Sequence, residues 1–382
     1  MIVEIRGVGY ENQGAALMLA AIADHFAAVD GRVHLAATPF RNGRRPCVPV
    51  ADVLRKLPAP PFGRSALAML LMSRWFRDAY RLVSDREIDA VLDASGFVFG
   101  DHWGQQALER APGEAHRWKR QGKKIVFMPQ AFGPFSREST RSAFARVLEH
   151  ADLVFARDLE SYEHLTGLHA ATKALRLAPD FTNLVAGAVP MSFANRPGRA
   201  AIVPNLHMID RTLPQQSARY VPFLVTCIRE LKRRGLEPFL LLHSTGDEQL
   251  GPLIQEQLGA ELETVRESNP LHTKGILGTC CVAVASRYHA LASCLAQRVP
   301  CIGTGWSHKY RFLFEDYGCA ECLLSVDASA DEIGTCVNAV LEEPSRTMLT
   351  ERLTRAATRQ IEQTHGMWRE IDAVLALRSL HQ

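Results

Sequence analysis

The sequence predicts an α/β protein with two facing, doubly wound Rossmann-like domains and a helical tail at its C terminus. Its 382 residues exceed the usual size of a single hydrophobic core. Short apolar runs alternate with stretches of helical apolar spacing, and this alternation restarts after a polar passage that contains proline and glycine. The predicted organisation is an N-terminal domain at residues 1–190, a linker at 191–200, a C-terminal domain at 201–342 and a helical segment at 343–382.

Each predicted strand is a short apolar run followed by a helical stretch, which is the pattern of a parallel sheet with helices on both faces. In the N-terminal domain the predicted strands are 2–6, 33–38, 88–95, 124–130, 151–157 and 174–179. In the C-terminal domain they are 200–206, 237–244, 281–286, 300–305 and 322–326. Ligands of open α/β sheets bind beyond the carboxyl ends of the strands, so we expect the site in the cleft between the two sheets.

Composition and the absence of certain motifs exclude several classes of function. The chain is 47% hydrophobic and 22% charged, with a net charge of +3 and no long basic run, so no nucleic-acid partner is expected. The first loop, with Gly7, Gly9 and Gly14, does not fit the dinucleotide pattern G-x-G-x-x-G. The sequence contains no phosphate-binding loop, metal-binding helix or nucleophile elbow. We therefore expect neither a metal nor a cofactor.

The expected location is the cytoplasm. Met1 leads into an apolar run without the pattern of a secretory signal, and the nine cysteines, an odd number, lie mostly in apolar stretches. The segment 64–83 alternates apolar residues with arginines and is open to two interpretations. It is either a helix that packs its apolar face on the core, or a basic amphipathic helix on an anionic membrane surface. The second interpretation places the protein peripherally at the inner face of the membrane.

Arg287 and His289 lie in the turn between the predicted strand 281–286 and the helix that follows it. A helix N-terminus offers unpaired N–H groups and a partial positive charge to an anion, and an arginine adds a planar fork for a carboxylate or phosphate. A histidine there can act as acid, base or phosphate partner near neutral pH. The alternative is an arginine paired with a carboxylate across the domain interface and a histidine that caps the turn.

Other polar residues also follow predicted strands. Arg157 ends the strand 151–157, and Asp158 and Ser161 are positioned to cap the next helix. Asp247 is interpreted first as a helix N-cap and second as a ligand group. The further candidates for the cleft are Asn12, Gly14, Ser95, Gly96, Asp101, Gln130 and His243.

Several of these segments together resemble the polysaccharide pyruvyl transferases. The resemblance rests on "GYENQGAALM", "SGFVFGD", "MPQAFGPF", "ARDLESYEHL", "APDF" and "SRYHALASCLAQRVPCIG", the last followed by Lys309, and it covers most of the chain. The family is similar in architecture to glycosyltransferases of the B type, with two facing Rossmann-like domains. Two departures are visible: Gly14 is followed by alanine where many relatives carry aspartate, and "TGWSHK" replaces a tyrosine-containing approach to the lysine.

The resemblance implies transfer of the enolpyruvyl unit of phosphoenolpyruvate onto two hydroxyl groups of a sugar, which gives a cyclic ketal and free phosphate. The family's Arg-x-His carries over to Arg287 and His289, and the resemblance implies donor binding by these two residues together with Arg157 and Lys309. His289 is then the expected acid or the partner of the departing phosphate. The implied setting is exopolysaccharide or cell-envelope biosynthesis, and a lipid-linked acceptor is compatible with the segment 64–83.

Two other functions remain open at this point. The same architecture serves glycosyltransferases and sugar-nucleotide epimerases, because fold does not fix function. A non-enzymatic alternative is a scaffold subunit of a polysaccharide assembly complex, with Arg287 and His289 as interface residues. The number of polar groups at strand ends argues against a scaffold, since a scaffold has no need to line a cleft with them.

Overall fold

A computed structural model describes residues 1–9, 11–29, 33–37, 53–56, 79–103, 105–168, 172–194, 196 and 198–377. The chain forms two compact units. Unit 1 comprises Met1–Gly9, Met18–Phe181 and Gln363–Gln382, and unit 2 comprises Tyr10–Leu17 and Thr182–Glu362. Both units consist of a parallel sheet with helices, so the predicted α/β class is confirmed. The predicted domain limits at 190 and 200 stay a prediction.

Unit 1 contains a parallel sheet of eight strands in the order β4-β3-β2-β1-β5-β6-β7-β8. The strands are β1 Ile2–Arg6, β2 His34–Ala37, β3 Leu54–Lys56, β4 Leu82–Val83, β5 Ala90–Asp93, β6 Lys124–Gln130, β7 Leu153–Ala156 and β8 Leu175–Leu177. The described helices of this part of the chain are α1 Gln13–Ala28, α2 Gln105–Arg120, α3 Glu138–His150 and α4 Leu159–Thr166. The first residues of α1 belong to unit 2.

Unit 2 contains a parallel sheet of five strands in the order β11-β10-β9-β12-β13. The strands are β9 Arg199–Val203, β10 Glu237–Leu242, β11 Thr264–Arg266, β12 Val282–Ala285 and β13 Cys301–Gly303. The described helices are α5 His207–Asp210, α6 Pro214–Arg233, α7 Leu250–Leu258, α8 Pro270–Gly278, α9 Tyr288–Ala296, α10 Lys309–Asp316, α11 Ala330–Leu341 and α12 Ser345–Val374. All residues of β9 and β12 are buried, as expected for strands covered on both faces.

Each sheet has a topological switch point, which determines where a ligand site is expected. In unit 1 the chain adds β2, β3 and β4 on one side of β1 and then returns to place β5 on the other side. In unit 2 it adds β10 and β11 beside β9 and then returns to β12. The connections on the two sides diverge at such a point and leave a crevice at the carboxyl ends. The two crevices are therefore between β1 and β5 and between β9 and β12.

The core of unit 1 includes an aromatic cluster between the sheet and the helices α2 and α3. The ring of Phe144 on α3 lies 5.9 Å from that of Phe127 on β6 and 5.4 Å from that of Phe132. Phe132 belongs to the loop after β6, so this packing fixes the carboxyl end of the strand. The same loop is held by Ser161, whose Oγ accepts the N–H of Phe132 at 2.9 Å.

The predicted helical tail is confirmed as α12, a single helix of 30 residues. Its last part belongs to unit 1, where it contacts α1. The ring of His25 stacks on Trp368 at 3.8 Å between centroids, and His25 Nε2 lies 2.8 Å from Asp372 Oδ1. The packing of α12 in unit 1 thus combines an aromatic stack with a polar contact.

One predicted strand is wrong and three strands were not predicted. The segment 322–326 begins within the 3-10 helix Ala320–Cys322, and only its Leu323 makes an isolated bridge, to Gly303. A turn begins at once, because the Asp327 N–H donates to Ser325 Oγ at 3.2 Å. The strands that were not predicted are β3, β4 and β11. They have two or three residues each, and β3 and β11 contain only one apolar residue each, so no apolar run marks them in the sequence.

The predicted amphipathic helix at 64–83 lies largely outside the described residues, since 57–78 are not among them. At its described end, Leu82–Val83 form β4 and pair with β3, so the helical prediction is wrong for these two residues. None of the helices within the described ranges is long and apolar enough to cross a bilayer. Contact with a membrane surface stays a prediction.

Candidate active site

The switch point of unit 2 brings together the loops that follow β9 and β12. The side-chain amide of Asn205, just after β9, donates to the Ser286 carbonyl after β12 at 2.6 Å. The hydroxyl of Tyr310 donates to the same carbonyl at 2.9 Å. These bonds fix the backbone immediately before Arg287, so the start of α9 has a defined position at the crevice.

Arg287 occupies the N-cap position of α9 and is paired with Asp247. Its Nε donates to Asp247 Oδ2 at 2.9 Å, and its Nη2 donates to Oδ1. The Asp247 side chain is 0% exposed and also accepts the N–H of Leu206 at 3.0 Å. The alternative interpretation, in which Arg287 pairs with a carboxylate across the domain interface, is confirmed only for the pairing, because Asp247 lies within unit 2. The interpretation of Asp247 as an N-cap is wrong, because Asp247 lies within the 3-10 helix Thr245–Gln249, whose N-cap is Ser244, and the N-cap of α7 is Gln249.

Because Arg287 is paired with Asp247, other groups have to attract an anion to the start of α9. Arg287 and Asp247 together carry no net charge, so the attraction has to come from neighbouring groups. One is the N-terminus of α9, with its first-turn N–H groups and partial positive charge. Another is Lys309 at the start of α10, whose Nζ lies 4.9 Å from the ring centroid of Trp306 and 5.7 Å from that of Tyr288. His289 adds a charge when it is protonated.

His289 lies against the first turn of α1. A Cβ atom built on Gly14 would lie 2.3 Å from His289 Nδ1, so only glycine leaves room for the ring in this position. The side-chain oxygen of Asn12 accepts the Gly14 N–H at 2.8 Å and caps the helix. The N–H of Gln13 donates to the His243 carbonyl at 3.0 Å, and Asn12 forms a bridge with Ser244. The start of α1 is therefore attached to the loop after β10.

His243 is a buried, neutral histidine at this site. Burial, followed by the charges of Arg287 and His289, holds its pKa well below the usual value. A positive charge on His243 beside Arg287 would be unfavourable, so the ring stays neutral near pH 7. Asn12, Gly14, His243, Arg287 and His289 thus form one cluster within unit 2.

The depressed pKa of His243 predicts a pH dependence of stability. Above about pH 6.5 the histidine is neutral in both the folded and the unfolded state and has no effect. As the pH falls below this value, the unfolded chain binds a proton that the folded chain does not, so stability should decrease by up to about 1.4 kcal/mol per pH unit. Chemical denaturation between pH 7 and pH 5 measures the slope. It should flatten in His243→Gln and persist in His34→Gln, an exposed position; equal slopes would contradict the assignment.

His207 belongs to the same region and was not a candidate from the sequence. It begins α5 just after β9, and burial lowers its pKa; the nearby charge of Arg287 acts in the same direction, while the Asp210 carboxylate, 2.9 Å from its Nδ1, opposes this. Its ring lies 5.9 Å from that of Trp306. The signal was present, because His207 directly follows the predicted strand 200–206 and the same rule about strand ends applies to it.

The remaining candidates lie in unit 1, where Arg157 follows β7. Its Nη1 donates to Asp180 Oδ2 at 3.2 Å, and its Nη2 lies 3.5 Å from the Gly96 carbonyl. Gln130 is fully buried at the end of β6, and its Nε2 donates to the Asp93 carbonyl oxygen at 3.2 Å and lies 3.3 Å from Asp93 Oδ1. Arg157, Gly96 and Gln130 are thus brought together at the carboxyl edge of this sheet.

Asp101 has a structural position in the loop after β5. Its Oδ2 accepts the N–H of Ser136 at 2.8 Å, and its own N–H donates to the Pro134 carbonyl at 3.0 Å. It therefore holds the loop after β6. The predicted cap at Asp158 is confirmed, because its Oδ1 accepts the Ser161 N–H at 2.7 Å at the start of α4.

The sequence from residue 12 to residue 308 matches the family model of the polysaccharide pyruvyl transferases. The chain belongs to this family. The match includes the start of α1 and the segment from β12 to the loop after β13, so both sides of the cluster around His289 lie within it. No curated protein matched this chain.

Several solved structures have a fold similar to that of this chain. Anabaena HepE in complex with UDP-glucose has a TM-score of 0.56 and 13% identity, covering 98% of this chain and 99% of that one. Sucrose-phosphate synthase from Thermosynechococcus elongatus has 0.57 and 12%, with 98% and 99% covered. The UDP-GlcNAc 2-epimerase from Methanocaldococcus jannaschii has 0.53 and 12%, with 94% and 99% covered. At these identities the likeness shows the fold alone.

Proposed function

We propose that the protein transfers the pyruvyl group of phosphoenolpyruvate to two hydroxyl groups of a saccharide, as a cyclic ketal, and releases phosphate. The family match supports transfer of a pyruvyl group. The observation that carries the donor is the convergence of Arg287, His289 and Lys309 with the start of α9 at the switch point of unit 2. Phosphoenolpyruvate bears a carboxylate and a phosphate on a small frame, and this cluster offers donors for both.

In this proposal Asp247 orients Arg287 for the donor. A guanidinium has five N–H groups, and the Asp247 carboxylate takes one from Nε and one from Nη2. The Nη1 edge then points away from Asp247 and is held rigidly for an anionic group of the substrate. A prearranged donor costs less conformational entropy on binding than a mobile side chain. The phosphate group of phosphoenolpyruvate then binds at the start of α9, where the positive charge of Lys309 adds to the partial positive charge of the helix N-terminus.

The proposed reaction balances in protons and electron pairs. A proton is added to the methylene carbon of phosphoenolpyruvate, which becomes a methyl group, and one sugar hydroxyl adds to the central carbon and loses its proton. The carbon–oxygen bond to phosphate then breaks, and the electron pair leaves with the phosphate, which takes up one proton. The second hydroxyl adds to the same carbon and loses its proton. His289 is the proposed acid for these proton transfers, because it lies at the start of α9 beside Arg287.

Thermal unfolding with phosphoenolpyruvate tests the donor. At about 100 times the dissociation constant, the ligand should add about 2.7 kcal/mol of stability. The shift should be lost or strongly reduced in Lys309→Ala and retained in Lys232→Ala, which removes an exposed lysine of the same unit. Arg287→Ala is a poorer choice, because it leaves the buried Asp247 carboxylate without its partner.

The same experiment separates the proposed function from the alternatives. A shift with UDP-glucose and none with phosphoenolpyruvate would contradict the proposal and favour glycosyl transfer or epimerisation. Absence of a shift with either class would favour a scaffold. The ketal itself is tested by phosphate release that depends on an added saccharide, with His289→Gln as the variant expected to lose turnover.

A further inference from the structure

A pocket lies at the switch point of unit 1, where it is bordered by the carboxyl ends of β1 and β5 and by the helix α2. Its volume is about 430 Å³, within the range of about 300 to 1,000 Å³ typical of ligand sites. The floor is formed by buried residues such as Asp93 and Trp118, and the rim by exposed residues such as Gln106 and Arg110. We refer to it as the β1/β5 pocket. None of its lining residues belongs to the cluster around His289.

The charges of the β1/β5 pocket are balanced. It is lined by two arginines, Arg6 and Arg110, and by two carboxylates, Asp93 and Glu114. Arg6 Nη2 lies 2.9 Å from Glu114 Oε2, so part of this charge is already paired. A pocket without net charge gains nothing from an anion, which disfavours a phosphate or a nucleotide. Donors and acceptors together suit a neutral ligand that carries hydroxyl groups.

Aromatic side chains complete the lining. Trp103 and Trp118 are both part of the pocket, and the Arg6 Cζ lies 4.7 Å from the ring centroid of Trp118. Among the described residues, no group accepts a hydrogen bond from the buried Trp118 Nε1. A tryptophan offers a flat apolar face together with a polar N–H. A sugar ring has the complementary shape, with a face of C–H groups and a rim of hydroxyls.

The polar floor of the pocket is held in place by neighbours. Asp93 Oδ1 accepts the N–H of Ser95 at 3.1 Å and lies 3.3 Å from Gln130 Nε2. Gly7, directly after β1, adopts a φ of +74°, and a Cβ there would lie 2.2 Å from Ser95 Oγ. Only glycine therefore allows the backbone after β1 to come this close to the backbone after β5. Asp93 and its neighbours are thus held in one position, as the polar groups of a binding site have to be.

We propose that the β1/β5 pocket binds a neutral saccharide against the ring of Trp103, with its hydroxyl groups bonded to the Trp118 N–H and to the polar groups of Asp93, Glu114 and Arg110. Its use for the acceptor of pyruvyl transfer rests on the proposed function. Binding itself does not, because the pocket lies within unit 1 and shares no residue with the proposed donor site.

Ala107→Phe tests this proposal by filling the pocket. Ala107 lines the pocket on α2 and is half-buried, so a ring can enter the pocket without removing an existing interaction. The control is Glu109→Phe, which adds the same ring at an exposed position of the same helix. The probes are methyl glycosides of glucose, galactose and mannose, observed by saturation-transfer NMR without phosphoenolpyruvate. Wild type and control should bind at least one of them, and Ala107→Phe should bind it at least about tenfold more weakly.

Several results would overturn the proposal. The first is that none of the three glycosides binds to the wild-type protein. The second is that Ala107→Phe binds a glycoside as strongly as the wild type does, and the third is that UDP displaces the bound glycoside. The thermal shift with phosphoenolpyruvate should be the same in Ala107→Phe as in wild type. If that shift is absent in wild type while the glycoside still binds to the pocket, the proposed function fails and the saccharide site stands.

Discussion

Asp247→Ala is expected to destabilise unit 2 by about 3 to 5 kcal/mol, because it leaves the charge of Arg287 buried without a partner. The Asp247 side chain is 0% exposed and accepts hydrogen bonds from the Arg287 guanidinium and from the N–H of Leu206. Water has no access to the buried carboxylate in the folded state, so it does not replace these bonds. Denaturation in urea, with the unfolding free energy extrapolated to water, measures the loss.

Two further variants separate the pair from its members. Arg287→Met should cost a similar amount, because it leaves the Asp247 carboxylate buried. The double variant Asp247→Leu with Arg287→Met should regain most of the stability, since a buried ion pair can often be replaced by apolar groups. It should remain inactive in the proposed reaction, because no guanidinium is left for the donor.

The matched control is an exposed ion pair of the same unit, Arg219 with Asp327, at 2.9 Å with side chains 61% and 47% exposed. Asp327→Ala should cost no more than about 1 kcal/mol, because solvent screens the pair. A loss for Asp247→Ala as small as the loss for the control would show that Arg287 is solvated or otherwise compensated.

Most strands of the two sheets could be predicted because they lie within apolar runs of sufficient length. Once β12 is recognised, the turn that contains Arg287 and His289 follows from position along the chain alone. This local information does not identify the partner. Asp247 is 40 residues away, and its carboxylate was more simply interpreted as the cap of the next helix. Pairing across the sheet depends on the strand order, which a single sequence does not specify.

The contacts of the first turn of α1 could not be predicted from the sequence at all. Gly14 and Asn12 are candidates from the resemblance, and no pattern in the residues indicates that they contact the loops after β10 and β12. The helix changes its packing environment at Met18, yet its apolar spacing continues without interruption. Periodicity describes one helix and carries no information about which unit its first turn contacts.

Gly14→Ala is expected to abolish most of the proposed activity while leaving the fold intact. The added Cβ would lie 2.3 Å from His289 Nδ1 and 2.7 Å from its Cγ, so the imidazole has to move. A displacement of about 1 Å at a reacting group can cost about 100-fold in rate, and we expect a fall of this order in saccharide-dependent phosphate release. The helix itself should not suffer, since alanine is favoured over glycine by about 1 kcal/mol within a helix.

The control Gly113→Ala makes the same change in α2, where a Cβ meets nothing within 4 Å. It should raise the melting temperature slightly and leave turnover unchanged. If Gly14→Ala loses turnover while keeping the wild-type circular dichroism and a melting temperature at or near that of wild type, the loss reflects the position of His289. If turnover survives in Gly14→Ala, the position of the His289 ring is not needed for the reaction. The acid then has to be sought outside this cluster, and His207, after β9, is the next residue to replace.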